Sequence, residues 1–336
     1  MRIEDARNLH KDALVIDLHT DSLIASKVLR YDLSKRHKPP KGLRPWRLHA
    51  DIPRLKEGGV DCAFLVIVTF PYFGSPFSRA LESIEFARSF IEKNKEIAAL
   101  ALKPGDIVHS KEKGRIAFGL GLEGLHALDG RLDNLEELFH RGVRYVTMAH
   151  FTSNQFAVSS ASRKKAVSFS WLSREFVRLA NRIGMMIDLS HTHTEVIDEV
   201  ARLSHAPVFV SHGAVSAVRR TFRNLNDEDI KNIARKGGVI GLIYANWWLR
   251  RSIRKPELDV VLDHADYIKN LVGSSHLALG SDWDGFISTP LGMRDASDLP
   301  KLTELFIKRG YSEDEIRGIL GLNFMKMWED VLSNAQ

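Results

Sequence analysis

Eight short apolar runs recur along the chain and alternate with segments whose apolar residues are spaced as in amphipathic helices. The apolar runs predict strands, and most are apolar at successive positions, as expected for strands buried on both faces of a parallel sheet. The predicted strands cover residues 14–21, 61–70, 115–123, 143–150, 185–191, 207–212, 238–244 and 276–282.

Helical spacing fills most of the intervals between these strands. The main predicted helices cover residues 78–100, 132–140, 171–183, 194–203, 226–236, 258–272, 300–309 and 312–332, and Ser312 with Glu315 forms a capping box for the last one. Eight strands alternating with helices are typical of a (β/α)8 (TIM) barrel. We therefore predict one barrel domain over residues 1–336, with a basic loop insertion at about 25–50 after strand one.

Metal-binding or acid/base side chains stand at the carboxyl ends of most predicted strands. In a (β/α)8 barrel these ends surround a single mouth, so residues about 100 positions apart can share a site. The side chains are those of His19, Asp21, Glu123, His150, His191, His212 and Asp282.

The order of these residues predicts a site for two metal ions. His19 and Asp21 lie two residues apart on an extended segment, so both project to the same side and suit one ion. His191 and His212 suit a second ion, and Glu123 has two carboxylate oxygens with which to bridge the pair. Mixed imidazole and carboxylate ligands favour Zn²⁺ and are also compatible with Mn²⁺ or Co²⁺.

Such a site predicts amide hydrolysis by a metal-bridging hydroxide. Two divalent cations depress the pKa of a water held between them, which makes hydroxide available near neutral pH. Asp282 would carry the proton from this water to the leaving amine, and His150 would donate a hydrogen bond to the oxyanion.

Seven motifs, in this order, resemble those of the membrane dipeptidase (renal dipeptidase, M19) family of amidohydrolase-like barrels. The resemblance runs from about Leu14 to Trp328. The motifs are Asp17-Leu-His-Thr-Asp21, Gly121-Leu-Glu-Gly-Leu-His126, Met148-Ala-His150, Ile187-Asp-Leu-Ser-His191, Val210-Ser-His212, Arg219-Arg-Thr-Phe-Arg-Asn224 and Gly280-Ser-Asp-Trp-Asp-Gly285.

The resemblance implies a binuclear zinc dipeptidase, which in this family often accepts a D-residue at the C-terminal position. It implies the same five metal ligands, with His150 at the substrate carbonyl and Asp282 in proton transfer. It also implies that Arg223 binds the substrate's terminal carboxylate, a role that suits the guanidinium fork. Trp247 falls where the family often has a tyrosine in the substrate wall.

Several alternatives remain open at this stage. Arg219 and Arg220 compete with Arg223, His193 could replace His191, and Asp284 is interpreted as structural. Another metal-dependent amidohydrolase, such as a deaminase or lactonase, is the first rival function. Those that open with His-x-His and use a carboxylated lysine fit poorly, because the first motif here is His-x-Asp.

The formal net charge of +6 raises a second rival, a non-catalytic basic barrel that binds nucleic acid or a partner. Basic and aromatic residues are not interleaved over a long surface, so we expect no nucleic-acid partner. A single cysteine, Cys62, and the lack of a leader or long apolar run predict a cytoplasmic protein without a membrane anchor. The sequence leaves a homodimer open.

Overall fold

The computed structural model describes residues 3–37, 48–72, 74–162, 169–251 and 256–336. The predicted basic insertion at about 25–50 therefore lies partly outside the described residues, because 38–47 are not among them. Its described beginning includes the helix Ser22–Leu29.

Within the described ranges, nine parallel strands form one sheet. They are β1 Ile16–Thr20, β2 Cys62–Val68, β3 Ala98–Leu100, β4 Ile116–Glu123, β5 Val143–Thr147, β6 Met186–Asp188, β7 Val208–Gly213, β8 Ile240–Leu242 and β9 Leu277–Leu279. The strands follow the order β2-β1-β9-β8-β7-β6-β5-β4-β3, and a further pairing of β2 with β4 closes the sheet on itself. This closure leaves β3 outside a barrel of eight parallel strands, so the predicted (β/α)8 barrel is confirmed.

The strand β3 corrects one prediction, because residues 78–100 do not form a single helix. The helix over this segment ends at Lys93, and the side chain of Asn94 donates a hydrogen bond to the carbonyl of Phe90 in its last turn. The three residues Ala98–Leu100 then pair with the first residues of β4 at the edge of the sheet. Three apolar residues are too few to show the strand periodicity that would separate them from the helix before them.

Fourteen α-helices are found in the described part of the chain. They are α1 Ile3–Asp12, α2 Ser22–Leu29, α3 Ile52–Glu57, α4 Pro76–Lys93, α5 Pro104–Glu112, α6 Asp133–His140, α7 Trp171–Ile183, α8 Thr194–Leu203, α9 Asp227–Arg235, α10 Asn246–Leu249, α11 Val260–Val272, α12 Pro300–Lys308, α13 Glu313–Arg317 and α14 Asn323–Ser333. None of these helices combines the length and apolar character that crossing a bilayer requires.

The last predicted helix, over residues 312–332, is divided. Its capping box is confirmed, since the Ser312 hydroxyl accepts from the Glu315 amide and the Glu315 carboxylate accepts from the Ser312 amide. A π-helical turn, Gly318–Leu322, then separates α13 from α14. A Cβ atom at Gly321 would lie 2.5 Å from the carbonyl oxygen of Leu14, so only glycine allows this turn to pass close to the barrel.

Aromatic side chains fill the barrel interior below the site. Phe64 of β2 packs against Tyr145 of β5, and Phe209 of β7 packs against Phe324 of α14. Trp328 of α14 lies 5.8 Å from the ring of Phe64. The apolar core therefore occupies this part of the barrel together with α14, and the polar side chains of the predicted site stand at the carboxyl ends of the strands.

Candidate active site

Glu123, the last residue of β4, lies at the centre of the predicted ligands. Its Oε1 atom is 3.3 Å from the Nε2 atom of His191 and 3.9 Å from the Nε2 atoms of both His19 and His212. The Oδ1 atom of Asp21 lies 4.0 Å from His19 Nε2. The structure thus brings all five predicted metal ligands into one buried space.

His19 and Asp21 converge for the reason expected from their spacing. His19 lies in β1, and Asp21 stands between the end of β1 and the first residue of α2. The Asp21 amide donates to the carbonyl of Trp283 at 2.7 Å, which fixes the backbone at this turn. Its carboxylate also stands at a helix N-terminus, where negative charge is favoured.

Two predicted site residues have left-handed backbone conformations. The φ angle of His191 is 59° and that of Asp282 is 63°. Such conformations cost roughly 1–3 kcal/mol for residues other than glycine and are concentrated at functional sites. The fold therefore holds both residues in conformations that an unconstrained chain would avoid.

The carboxylates of Asp21 and Asp282 approach the same glycine. A Cβ atom at Gly285 would lie 2.2 Å from Asp282 Oδ1 and 2.7 Å from Asp21 Oδ2. Any larger residue at this position would displace one carboxylate or both, so the glycine of the Gly280–Gly285 motif has a direct steric role.

The site imidazoles are in the form that binds metal. Burial lowers the pKa of His19, His191 and His212, and that of His191 falls to about 3. All three rings are therefore neutral near pH 7, and a neutral ring has a free lone pair for a metal ion.

The carboxylates, by contrast, are crowded. Burial and then the charge of Glu123 raise the pKa of Asp21 well above its ordinary value. Burial likewise raises the pKa of Asp282, and Arg223 only partly opposes it. For Glu123 the effect of burial is outweighed by its neighbours, His150 first, which hold its pKa well below the usual range. Three buried carboxylates in one pocket favour a cation.

The unsatisfied atoms of the pocket fit the same interpretation. Among the described residues, His19 Nε2 and Asp21 Oδ1 are buried and have no hydrogen-bond partner, which is rare unless a ligand takes that place. Ligand atoms within 4.8 Å of one another form three overlapping groups, which are His19, Asp21 and Glu123, then His19, His212 and Asp282, then Glu123, His150 and His191. The residues therefore fit divalent metal, and the second and third groups also bring Asp282 and His150 within ligand range.

Below the histidines lies a polar layer that the sequence reasoning missed, which we call the floor and which consists of Tyr145, Asp188 and Ser211. The Ser211 hydroxyl lies 2.8 Å from His212 Nδ1 and 3.2 Å from His19 Nδ1. The Tyr145 hydroxyl is also 3.2 Å from His19 Nδ1. The available signal was a polar residue inside an apolar strand next to a candidate ligand, such as Ser211 before His212.

His150 stands on the opposite, solvent-facing side of Glu123. Its Nε2 atom lies 3.4 Å from Glu123 Oε2, and its side chain is 20% exposed against 2% for Glu123. Phe151 follows it and is 49% exposed, with its ring 4.7 Å from that of His150 and 4.8 Å from that of His191. A substrate could therefore reach His150, as its predicted role requires.

Arg223 is the arginine of its motif that enters the site. It is buried, its guanidinium lies 3.2 Å from His191 Nε2, and it donates to the carbonyl of His212 at 3.1 Å. Arg220 is exposed and Arg219 is half-buried. The geometry therefore favours Arg223 among the three candidates.

An aromatic residue next to the predicted Trp247, Trp248, contacts Arg223. The Arg223 guanidinium lies 5.5 Å from the Trp248 ring, and Phe222 packs edge-on against the same ring. Trp247 is 45% exposed on α10, so its role as a substrate wall stays a prediction.

Two weaker candidates have structural contacts. The Nδ1 atom of His193 accepts a hydrogen bond from the Glu195 amide at the start of α8, which favours His191 as the ligand. Asp284 accepts a hydrogen bond from the Ser22 hydroxyl at 2.5 Å and another from the His49 amide, in agreement with a structural role.

Comparison with known proteins points to one family. The sequence model described as membrane dipeptidase (peptidase family M19) matches residues 3–336. The chain is 31% identical to dipeptidase tcpJ of Claviceps purpurea over 314 residues, which are 90% of this chain and 73% of the relative. It is 30% identical to dipeptidase verJ of Clonostachys rogersoniana over 84% of this chain and 76% of the relative.

Solved structures agree. A dipeptidase described as an M19 metallopeptidase superposes with a TM-score of 0.84 at 26% identity, covering 95% of this chain and 98% of that one. A metallopeptidase from Rhodobacter sphaeroides, solved with a phosphinate mimic of the dipeptide L-Ala-D-Ala, has a TM-score of 0.83 at 25% identity and covers 95% of this chain and 100% of that one. The chain thus belongs to the membrane dipeptidase family, peptidase family M19, and is a metallopeptidase-type hydrolase that acts on dipeptides.

Proposed function

We propose that this dipeptidase is a binuclear zinc enzyme that cleaves dipeptides with a free C-terminal carboxylate. The observation that carries the proposal is the position of Glu123, whose Oε1 atom lies within 3.9 Å of three imidazole Nε2 atoms from three separate strand ends. We assign His19, Asp21 and Glu123 to one ion, and Glu123, His191 and His212 to the other.

Exposure supports leaving His150 out of the ligand set, and position supports leaving Asp282 out. The side chains of His19, His191 and His212 are at most 5% exposed, whereas that of His150 is 20% exposed and faces the mouth. Asp282 lies near both Arg223 and Asp21, so a proton held there is within reach of the substrate as well as the metal ligands.

Zinc bound in this pocket would supply an activated water as nucleophile and would polarise the amide carbonyl. The remaining steps belong to side chains of this chain. Asp282 accepts the proton of the attacking water and gives it to the leaving amine, and its raised pKa suits a group that must hold that proton. His150 donates a hydrogen bond to the oxygen of the former carbonyl.

Arg223 selects the free C-terminus. The Nε atom of Arg223 is buried and has no hydrogen-bond partner within the described ranges, so the guanidinium retains donors for a carboxylate. The ligand of the Rhodobacter sphaeroides structure supports including L,D-dipeptides among the substrates.

The test combines metal analysis with a substrate panel. The zinc-loaded protein is expected to hold about two equivalents of zinc and to hydrolyse free-acid dipeptides in a panel of L,L and L,D pairs, while the matching C-terminal amides, lactones and aminopurines react poorly. Fewer than two equivalents, or turnover of lactones or aminopurines in preference to dipeptides, would contradict the proposal.

A further inference from the structure

The hydroxyl of Ser211 lies between two imidazoles that serve different ions in the proposed centre. Its Oγ atom is 3.2 Å from Nδ1 of His19 and 2.8 Å from Nδ1 of His212. The same atom donates to Oδ2 of Asp188 at 2.8 Å. All four side chains are fully buried, so in this pocket the protein itself must supply each of these hydrogen bonds.

Asp188 can only accept hydrogen bonds in this arrangement. Its Oδ1 atom accepts from the backbone amides of Ser190 and Ser211, at 2.9 and 2.8 Å. Its Oδ2 atom accepts from the Thr147 hydroxyl at 2.6 Å as well as from Ser211. Since backbone amides cannot reverse their role, the orientation of this carboxylate is fixed by the fold.

A serine hydroxyl has one proton to donate and two lone pairs to accept with. Because the Ser211 proton points to Asp188, both lone pairs are available to the two rings, and each ring must present an N–H at Nδ1. The Tyr145 hydroxyl, which donates to the Leu18 carbonyl at 3.0 Å, can likewise only accept from His19. Both Nε2 atoms are then left without a proton on the side of Glu123.

We propose that Ser211, oriented by Asp188, is a positioning residue that fixes the tautomer and ring orientation of His19 and His212 together, so that one hydroxyl prepares a ligand for each ion. This inference rests on the proposed function, because it concerns the metal ligands assigned above. It predicts that a single change on the floor weakens both ion sites at once, although Ser211 binds neither ion.

The first variant is Ser211→Ala, with zinc affinities measured by chelator competition on the whole chain. Removal of the shared acceptor is expected to weaken the zinc equivalent assigned to His212 by about 10- to 100-fold, the usual effect of losing a group that orients a metal ligand. The equivalent assigned to His19 should weaken by less, because the Tyr145 hydroxyl still accepts from His19 Nδ1. Long-range proton–nitrogen spectra of the metal-free wild type provide the second readout, and they are expected to show His19 and His212 protonated at Nδ1.

The second variant, Asp188→Asn, keeps the shape of the side chain and reverses the two hydrogen bonds that Oδ2 accepts from the hydroxyls of Thr147 and Ser211. Its oxygen must face the amides of Ser190 and Ser211, so its NH₂ group faces the Ser211 hydroxyl. The Ser190 hydroxyl lies 3.0 Å away and can also accept the displaced proton, so the change is made together with Ser190→Ala. In the double variant the Ser211 hydroxyl turns its proton towards one imidazole, which moves the proton of that ring to Nε2 and blocks its lone pair. We expect one zinc equivalent to be lost or greatly weakened, together with a switch of one histidine tautomer.

Ser190→Ala is the matched control. The Ser190 hydroxyl donates to the same carboxylate at 2.8 Å, so it can only accept from the Ser211 hydroxyl, which lies 3.0 Å away and gives its own proton to Asp188. It contacts the backbone of His212 rather than its ring. It should leave both zinc affinities within about threefold of the wild type. Unchanged affinities in Ser211→Ala, an equal loss in Ser190→Ala, or Nε2–H tautomers in the wild type would each overturn the inference. A wild type that binds no zinc would instead refute the proposed function.

Discussion

The side chains of the floor and of the mouth of the active site differ in exposure and in how many hydrogen bonds they make within the protein. On the floor, Asp188 and Ser211 are buried and bonded to each other and to neighbouring strands. At the mouth, His150 is one-fifth exposed and Phe151 about one-half exposed. Glu123 lies between the two regions.

This difference separates two tasks. The floor is built from strand residues whose positions follow from the barrel, so folding alone can orient the metal ligands. The mouth is built from residues after the strand ends, whose hydrogen-bonding capacity is left for a ligand. We therefore expect changes at Glu123 to abolish metal binding and activity together. Changes at the mouth should alter activity while metal stays bound.

The largest effect is expected from Glu123→Gln, between the floor and the mouth. Under the proposed assignment Glu123 would supply negative charge to both ions, so its loss should remove most bound zinc and lower kcat/KM by more than about a thousandfold, since metal assistance contributes several kcal/mol to such reactions. Metal content and turnover are measured side by side. Glu112→Gln, on the exposed surface of α5, is the matched control, and full zinc occupancy in Glu123→Gln would refute the assignment of a bridging ligand.

Asp282→Asn should separate metal binding from catalysis. The amide cannot carry the proton, so kcat should fall by about 10²- to 10⁴-fold while both zinc equivalents remain. The zinc content of this variant distinguishes a proton carrier from a metal ligand. The distinction matters because Asp282 also lies within ligand range of His19 and His212. A parallel loss of zinc would identify Asp282 as a ligand rather than a proton carrier.

Arg223→Ala tests substrate selection at the mouth. A charge-assisted bidentate contact is worth about 1.5–3 kcal/mol, so kcat/KM for free-acid dipeptides should fall roughly 10- to 150-fold. The C-terminal amides should lose much less. Arg220→Ala removes an exposed arginine from the same segment and should have little effect, and an equal loss for acids and amides in Arg223→Ala would remove this residue from carboxylate binding.

The same comparison explains what the sequence could predict. The candidate ligands were recognisable because each is a polar residue at the end of an apolar run, and the barrel makes such ends converge. The role of the floor residues was not predicted, because Asp188 and Ser211 lie within the motifs of His191 and His212. Their contacts join strands that are distant in sequence. Pairing of this kind follows from three-dimensional packing, which a single sequence does not report.

The aromatic residues near Arg223 show a second limit of prediction from sequence. Trp247 and Trp248 are adjacent in a four-residue helix, so their positions in the sequence do not show which ring contacts Arg223. The edge strand Ala98–Leu100 was missed for a related reason, since short elements are defined by their neighbours. Periodicity is informative only over segments longer than these.

The smallest expected effect concerns Phe151, an exposed ring at the mouth that contacts His150 and His191. Because His150 is assigned to the substrate carbonyl, the N-terminal side chain of the dipeptide should pack on this ring. Burying about 60 Å² of apolar surface contributes about 1.5 kcal/mol, so Phe151→Ala should lower kcat/KM about tenfold for dipeptides that begin with Leu or Phe. Dipeptides that begin with Gly should change less than about twofold, as should every substrate with Phe86→Ala on the outer face of α4. An equal loss for Gly and Leu substrates, with zinc retained, would show that Phe151 supports His150 rather than the substrate.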